Sequence, residues 1–321
     1  MNTPLVSFCV KSYNQKSYLV ETLKGAFEQT YRPLEIVVSD DGSTDGSWDY
    51  IRNEVAKFKK THADVSVVIN RNVPNLGNLG NWQKCCELSH GELLIKADGD
   101  DISFPERTSQ IVEAWLRDGK KALVVSCDGV RIDPKGHMCG EVHGLCYCGA
   151  FAAYARDLYL RFAADCKYAR STDDSVYVNR ARILSASFLH VPQMLVKYCI
   201  GTGVSSVYLD ARTYFVKFSP MLIMAMRQGF ADARHVGRCQ FFANLTKELR
   251  RQRDRLILGC SRSLRLRWMA YRRLQKNYPC KLLTPRKFVE VSCLLPRVLG
   301  TPLLRLYGGL NYLRHRLMVV G

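Results

Sequence analysis

Leu93-Leu94-Ile95-Lys96-Ala97-Asp98-Gly99-Asp100-Asp101 is an apolar run that ends in three carboxylates. Gly91 precedes it, and a short apolar run bounded in this way reads as a buried strand. At the tip of such a strand Asp98, Asp100 and Asp101 repel one another. Their ionised forms are costly unless a cation or a set of donors offsets them. A hard divalent ion with oxygen ligands, shared with a bound diphosphate, is the simplest solution.

Outward from this run the chain alternates strand and helix patterns. Ser103-Phe104-Pro105-Glu106 resembles a capping box with proline in the first turn. Ile111, Val112, Trp115 and Leu116 continue a helix that Gly119 ends, and Ala122 to Val125 is the next strand. On the N-terminal side, Leu5 to Val10, Leu34 to Val38 and Val65 to Ile69 read as strands. Leu19, Val20, Leu23 and Phe27 mark one helix face, and Leu79, Trp82, Cys85 and Cys86 another. This alternation predicts an α/β sheet, mostly parallel and flanked by helices, with ligands at the carboxyl ends of its strands.

The formal charge of +18 is unevenly spread. Residues 1–210 are nearly neutral, whereas 211–321 hold 23 Lys and Arg against Asp232, Glu248, Asp254 and Glu290. Two regions are expected, 1–210 carrying the sheet and a basic, mainly helical 211–321. In the second, Leu256, Leu264, Trp268 and Tyr271 interleave with arginines. The default reading is a helical subdomain with a solvated cationic face; the interleaving also suits an anionic membrane surface, and suits it better than nucleic acid. Val298 to Leu313 is apolar but broken by Pro302, Arg305 and a glycine pair. No apolar stretch reaches the roughly 20 residues that span a bilayer. Met1 to Pro4 leads straight into a strand pattern without a secretory leader. The thirteen cysteines read as reduced core thiols of a cytoplasmic protein.

Two further acidic clusters stand out. Ser39-Asp40-Asp41-Gly42-Ser43-Thr44-Asp45 follows a strand. Asp41 there could accept from a nucleobase or a ribose hydroxyl, or the cluster could be an Asx-type turn and helix cap. Ser171-Thr172-Asp173-Asp174 precedes Val176, Tyr177, Val178 and Arg180. It offers a general base or, more plainly, an N-cap at Thr172 or Asp173. His137, Cys139, His143, Cys146 and Cys148 crowd one loop that could bind zinc, but no CxxC pair is present and a variable loop before an acceptor pocket fits better.

Taken in order, these segments resemble family 2 glycosyltransferases with the GT-A nucleotide-diphospho-sugar transferase fold, of the kind that builds bacterial surface polysaccharides. The likeness covers about residues 4–206. It runs through Val6 to Asn14, Gln29-Thr30-Tyr31, Glu35 to Asp45, Asn75-Leu76-Gly77, Gly91-Glu92, Asp98 to Asp101 with Pro105-Glu106-Arg107, Thr172-Asp173-Asp174 with Arg180, and Leu195 to Tyr198 with Ser205. The resemblance implies that Asp41, Ser12 and Tyr13 line the nucleotide and that Asp98 and Asp100 bracket the ribose and diphosphate. It implies a divalent metal, Mn2+ or Mg2+, on Asp100 or Asp101, and Asp174 as the base that deprotonates the acceptor. It further implies inversion, a nucleotide-diphosphate sugar as donor and a glycan acceptor on a lipid carrier at the inner membrane face. A catalytically silent nucleotide-sugar-binding or scaffold protein is the alternative. Lys11 stands where the family often has proline or threonine, and is expected to meet a phosphate or lie at the surface. Asp173 replaces the usual glutamate and is expected to be structural. Cys199 replaces a common arginine, and Gly201 or Thr202 stands where histidine is frequent.

Overall fold

The computed structural model describes residues 3–143, 149–162, 166, 168–169, 172–200, 211–260 and 264–277. A nine-stranded sheet forms the centre, in the order β3-β2-β1-β4-β8-β6-β9-β5, with β7 paired to β6. β1 (Val6–Ser12), β2 (Leu34–Asp40), β3 (Ser66–Arg71) and β4 (Leu93–Asp98) are all parallel. Beyond β4 the sheet is mixed. β8 (Ala152–Ala155) lies antiparallel between β4 and β6 (Ala122–Ile132), and β9 (Ser187–Cys199) runs parallel to β6. β5 (Ile102–Ser103) and β7 (Met138–Val142) close the edges as antiparallel partners.

Strand β1 is buried along its whole length because both faces are covered. Side chains alternate between the faces, so Val6, Phe8 and Val10 enter one core and Cys9 the other. The first core packs under α1 (Lys16–Phe27), α2 (Ser47–Thr61) and α4 (Arg107–Arg117). The second packs under α3 (Gly77–Leu88), α5 (Arg156–Leu160) and α6 (Asp173–Ile183). All four predicted apolar positions of α3 are buried in this second core. Trp82, Tyr154 and Tyr177 meet there with ring centroids 5.1 to 5.8 Å apart. At about 0.5–1.5 kcal/mol per pair beyond simple burial, these contacts fix α6 against β8 and α3.

Ser103 does not cap α4 as the sequence suggested. It lies in β5, α4 begins at Arg107 without a side-chain cap, and Ser103 Oγ accepts instead from Arg107 Nη1 at 2.8 Å. The buried Arg107 also donates through Nη2 to the carbonyls of Lys96 and Ala150, tying β4 to the chain before β8. The antiparallel pairing of β5 with β9 takes Ser103 away from the helix axis, and the guanidinium then claims its hydroxyl.

The basic region contributes α7 (Ala211–His235), α8 (Phe242–Cys260) and α9 (Leu264–Asn277). Ala225, Met226 and Ala233 of α7 and Leu245 of α8 share the second core with Trp82 and Tyr177. Among the described residues no helix is long and apolar enough to cross a membrane. Ser205, Gly201, Thr202 and the apolar stretch 298–313 lie outside the described residues.

Candidate active site

Register brings the charged residues together. Lys11 of β1 lies opposite Asp98 of β4, and Ser12 lies opposite Asp40 of β2. Alternation from Cys9 and Leu94 puts Lys11, Lys96 and Asp98 on the face that α3 and α6 cover. Asp173, at the start of α6, descends onto the same spot. Lys11 Nζ is 2.7 Å from Asp98 Oδ1 and 3.4 Å from Asp173 Oδ2. Lys96 Nζ is 3.2 Å from Asp98 and 3.0 Å from Asp173 Oδ2. Lys11 Nζ also donates to Asn78 Oδ1 of α3.

This cluster is buried. Burial alone would discharge Lys96, but Asp173 and Asp98 keep its ammonium charged well above its ordinary range. Burial likewise opposes the Asp98 carboxylate, and the two lysines overcome it, holding Asp98 well below the usual range. Lys11 is therefore neither a surface residue nor free, but one member of a four-charge knot. Gly149 backs the knot, where a methyl carbon would sit 2.7 Å from Lys96 Nζ and 2.9 Å from Asp98 Oδ2. Lys96 and Asn78 are the members that sequence reading missed. The signal for Lys96 was a lysine inside an otherwise apolar strand.

Asp100 and Asp101 sit just beyond, in the turn after β4, and both are buried. Asp101 Oδ1 accepts from the Cys199 N–H at 2.9 Å. Burial, then the charges of Asp100 and Asp98, push the Asp101 carboxyl well above its ordinary range. Lys11 and Lys96 are committed to Asp98 and Asp173, and Asp100 and Asp101 lie buried beside that knot. Among the described residues no group of three or more His, Cys, Asp or Glu is arranged to hold a metal by itself. Two hard carboxylates fit a Mg2+ or Mn2+ that takes its other ligands from a diphosphate and water.

Asp174 is half-buried at the first turn of α6. Burial and then the neighbouring Asp173 charge raise its pKa, so it is a better base than a free carboxylate. Thr172 occupies the cap position in a left-handed conformation, with φ 65°, and makes no side-chain cap bond. Asp173 is committed to the lysines, so neither residue caps α6 through its side chain. Asp174 also lines a cavity of about 780 Å³ between α6, α7 and α8.

At the nucleotide end, Asp41 is buried and accepts from Asn72 Nδ2 and from the Leu76 and Gly77 N–H groups at 2.9 to 3.0 Å. That occupies three of about four acceptor positions on the carboxylate. The local turn belongs to Asp40, which accepts from Ser43 N–H, and to Asp45, which accepts from Ser47 N–H at the start of α2. Ser12 Oγ and Asp40 Oδ1 are buried and have no hydrogen-bond partner among the described residues. Tyr13, just past the strand tip, is half exposed.

Arg180 lies elsewhere, fully buried between α6 and α7. Its Nε is 2.9 Å from Asp232 Oδ2, and its guanidinium stacks over Phe162 and Tyr177. The histidines of the candidate zinc loop face separate carboxylates, His137 with Asp133 and His143 with Asp128, each at 3.1 Å. Cys139 donates to the His137 carbonyl, and Cys146 and Cys148 lie outside the described residues.

Residues 7–138 match the family described as Glycosyl transferase family 2. The chain is 33% identical over 111 residues to an uncharacterized glycosyltransferase of Haemophilus influenzae, covering 35% of this chain and 32% of that one. It is 32% identical over 97 residues to the UDP-Glc:alpha-D-GlcNAc-diphosphoundecaprenol beta-1,3-glucosyltransferase WfaP of Escherichia coli, covering 30% and 36%. The chain thus spans about a third of the length of these curated relatives. In fold it is similar to the mannosyltransferase PcManGT from Pyrobaculum calidifontis, solved in complex with GDP-Man and Mn2+. The TM-score is 0.56 at 17% identity, over 97% of this chain and 88% of that one. The segment that carries the parallel half-sheet and the acidic strand tip thus resembles family 2 glycosyltransferases, and the chain shares the GT-A fold of its structural neighbour.

Proposed function

We propose that this protein is an inverting, metal-dependent glycosyltransferase. It moves a sugar from a nucleotide-diphosphate donor to a hydroxyl of a lipid-linked glycan in surface-polysaccharide synthesis. The observation that carries the reading is the convergence of Asp98–Asp101 with Asp173–Asp174 at one strand edge. A structural salt-bridge knot alone would not need two further carboxylates, Asp100 and Asp101, buried beside it.

In this reading Asp100 and Asp101 hold the cation, and positive charge on the donor diphosphate is what it supplies when bound. Ser12, Tyr13 and Asp41 line the nucleotide, and the two orphaned atoms, Ser12 Oγ and Asp40 Oδ1, mark polar demand at that end. Asp98, kept ionised by Lys11 and Lys96, faces the ribose and diphosphate. Asp173 is structural: it is the counter-ion that keeps both lysines in place. Asp174 takes the proton from the acceptor hydroxyl as its oxygen attacks the anomeric carbon. The bond from that carbon to the diphosphate oxygen breaks on the opposite face, so configuration inverts. Arg180 supports the base by fixing α6 against α7.

The membrane part rests on α9. Leu266, Trp268 and Met269 are about half exposed, and Arg265 and Arg272 flank them on the exposed surface. Apolar and cationic groups on one exposed face suit the anionic inner leaflet.

The enzymatic reading is tested with purified protein, a panel of UDP- and GDP-sugars and Mn2+, following nucleotide release. Asp100→Ala and Asp174→Asn are each expected to lower turnover at least about 100-fold. Wild-type turnover in both variants contradicts the assignment. Donor binding without any turnover in the wild type favours the silent binder instead.

A further inference from the structure

We propose that the cleft between α6, α7 and α8 is the acceptor site and that it takes an uncharged saccharide. This rests on the glycosyl-transfer reading above. It goes beyond the sequence expectation, which set an acceptor pocket only somewhere after the His137 to Cys148 loop.

Asp174 stands between the charged knot and the cleft. On one side it stands beside Asp173 and within the field of Lys96 and Lys11, and on the other it lines the cleft. A base that serves donor and acceptor must touch both. The cleft's volume of about 780 Å³ lies within the range of small-ligand sites.

Its chemistry points to hydroxyl groups. Asn179, 8% exposed, lines the cleft from α6. Among the described residues its only side-chain hydrogen bond is a 4.0 Å contact from Nδ2 to Met226 Sδ, a weak acceptor. A buried amide with so poor a partner favours a ligand that both donates and accepts. Asn244 stands exposed at the mouth on α8. Phe188 and Phe241 are half-buried in the lining and offer apolar ring faces to a sugar. The charged pair on the α8 wall is internally balanced, with Arg251 Nη1 3.2 Å from Glu248 Oε2. Asp174 and the exposed Arg182 add one charge of each sign to that pair, and a lining without net charge disfavours a phosphate or carboxylate ligand relative to a neutral ring. Two of the three walls come from the basic region, so that region completes the site rather than serving only as an anchor.

The test is a kinetic split. Wild type is assayed for nucleotide release from the panel of UDP- and GDP-sugars with Mn2+, with free mono- and disaccharides as acceptors. Asn244→Trp, a surface change that blocks the mouth, and Asn179→Leu, which removes the buried amide, are assayed beside it. Each is expected to raise the saccharide concentration for half-maximal rate at least about tenfold, equivalent to about 1.4 kcal/mol. The donor's half-maximal concentration is expected to move less than about twofold. If Asn244→Trp leaves saccharide dependence unchanged, or if no saccharide in the panel accelerates a wild type that turns donor over, the acceptor assignment falls. Competition by alkyl glycoside detergents through their chains alone also overturns it. A wild type that turns over no donor sinks the glycosyl-transfer reading itself, a different result.

Discussion

The most consequential single residue is Lys96. Its ammonium is 1% exposed and neutralises two carboxylates that burial would otherwise not tolerate. Lys96→Met is expected to cost about 3–5 kcal/mol, because it leaves Asp98 and Asp173 sharing only Lys11. Chemical denaturation at pH 7 measures this, and a loss under about 1 kcal/mol contradicts it. The pH dependence follows from Asp98. Its folded pKa lies below the unfolded value of about 3.9. Its stabilising contribution is therefore present above that value and is lost as pH falls through the folded one. The wild type should lose this stability below about pH 4, whereas the Lys96→Met variant should lack it already at neutral pH and flatten the acid limb.

At this scale the sequence was legible in kind rather than in pairing. Three carboxylates at a strand tip demand a partner, and Asp98 to Asp101 announced that by composition alone. That Lys11 would meet Asp98 depended on the parallel register of β1 with β4, which no local pattern encodes. Asp41 illustrates the same limit. A turn residue by its neighbours, it spends its carboxylate on the Leu76 and Gly77 amides, which only the packing of α3 brings near.

Among the elements, α6 matters most, since it carries Asp173 and Asp174. Its outer side is fixed by the fully buried Arg180, clasped by Asp232 of α7, and its inner side by Tyr177 in the aromatic cluster. Asp232→Ala leaves Arg180 without its counter-ion and should destabilise the fold by about 3–5 kcal/mol. The double change Arg180→Met with Asp232→Leu should recover most of that loss. Equal loss in single and double variants, measured by urea unfolding, contradicts the clasp. The turn after β4 is equally constrained. A methyl carbon on Gly99 would sit 2.6 Å from Gln15 Oε1 and 3.1 Å from the Lys11 carbonyl oxygen, so a larger residue there would have to displace the Gln15 side chain and press on the β1 backbone. Strands β1 to β4 and α3 were readable because long periodic runs carry their own signal. β8 and β5 were not, because short strands owe their place to partners contributed by distant segments.

For the whole molecule, the change of composition near residue 210 marks a change of charge rather than a break in the core. α7 and α8 bury Ala225, Met226, Ala233 and Leu245 against the second face of the sheet. We infer that α7 and α8 fold as one unit with the sheet, while the cationic face of α9 is left for a surface. Vesicle flotation tests that face. The protein should float with phosphatidylglycerol vesicles and not with phosphatidylcholine alone. Arg265→Gln with Arg272→Gln should weaken binding on the order of 30-fold, at about 1 kcal/mol per positive charge lost. Equal recovery on both lipids contradicts electrostatic docking.

The central claim is that the acidic tip of β4 grips an activated sugar through a divalent cation. Isothermal titration calorimetry of UDP- and GDP-sugars into the protein at pH 7.5, with and without Mn2+ or Mg2+, measures it directly. One donor should bind with a heat that requires the metal and that Asp101→Asn abolishes. Donor heats that are the same with and without metal, or absent for every donor, would contradict it.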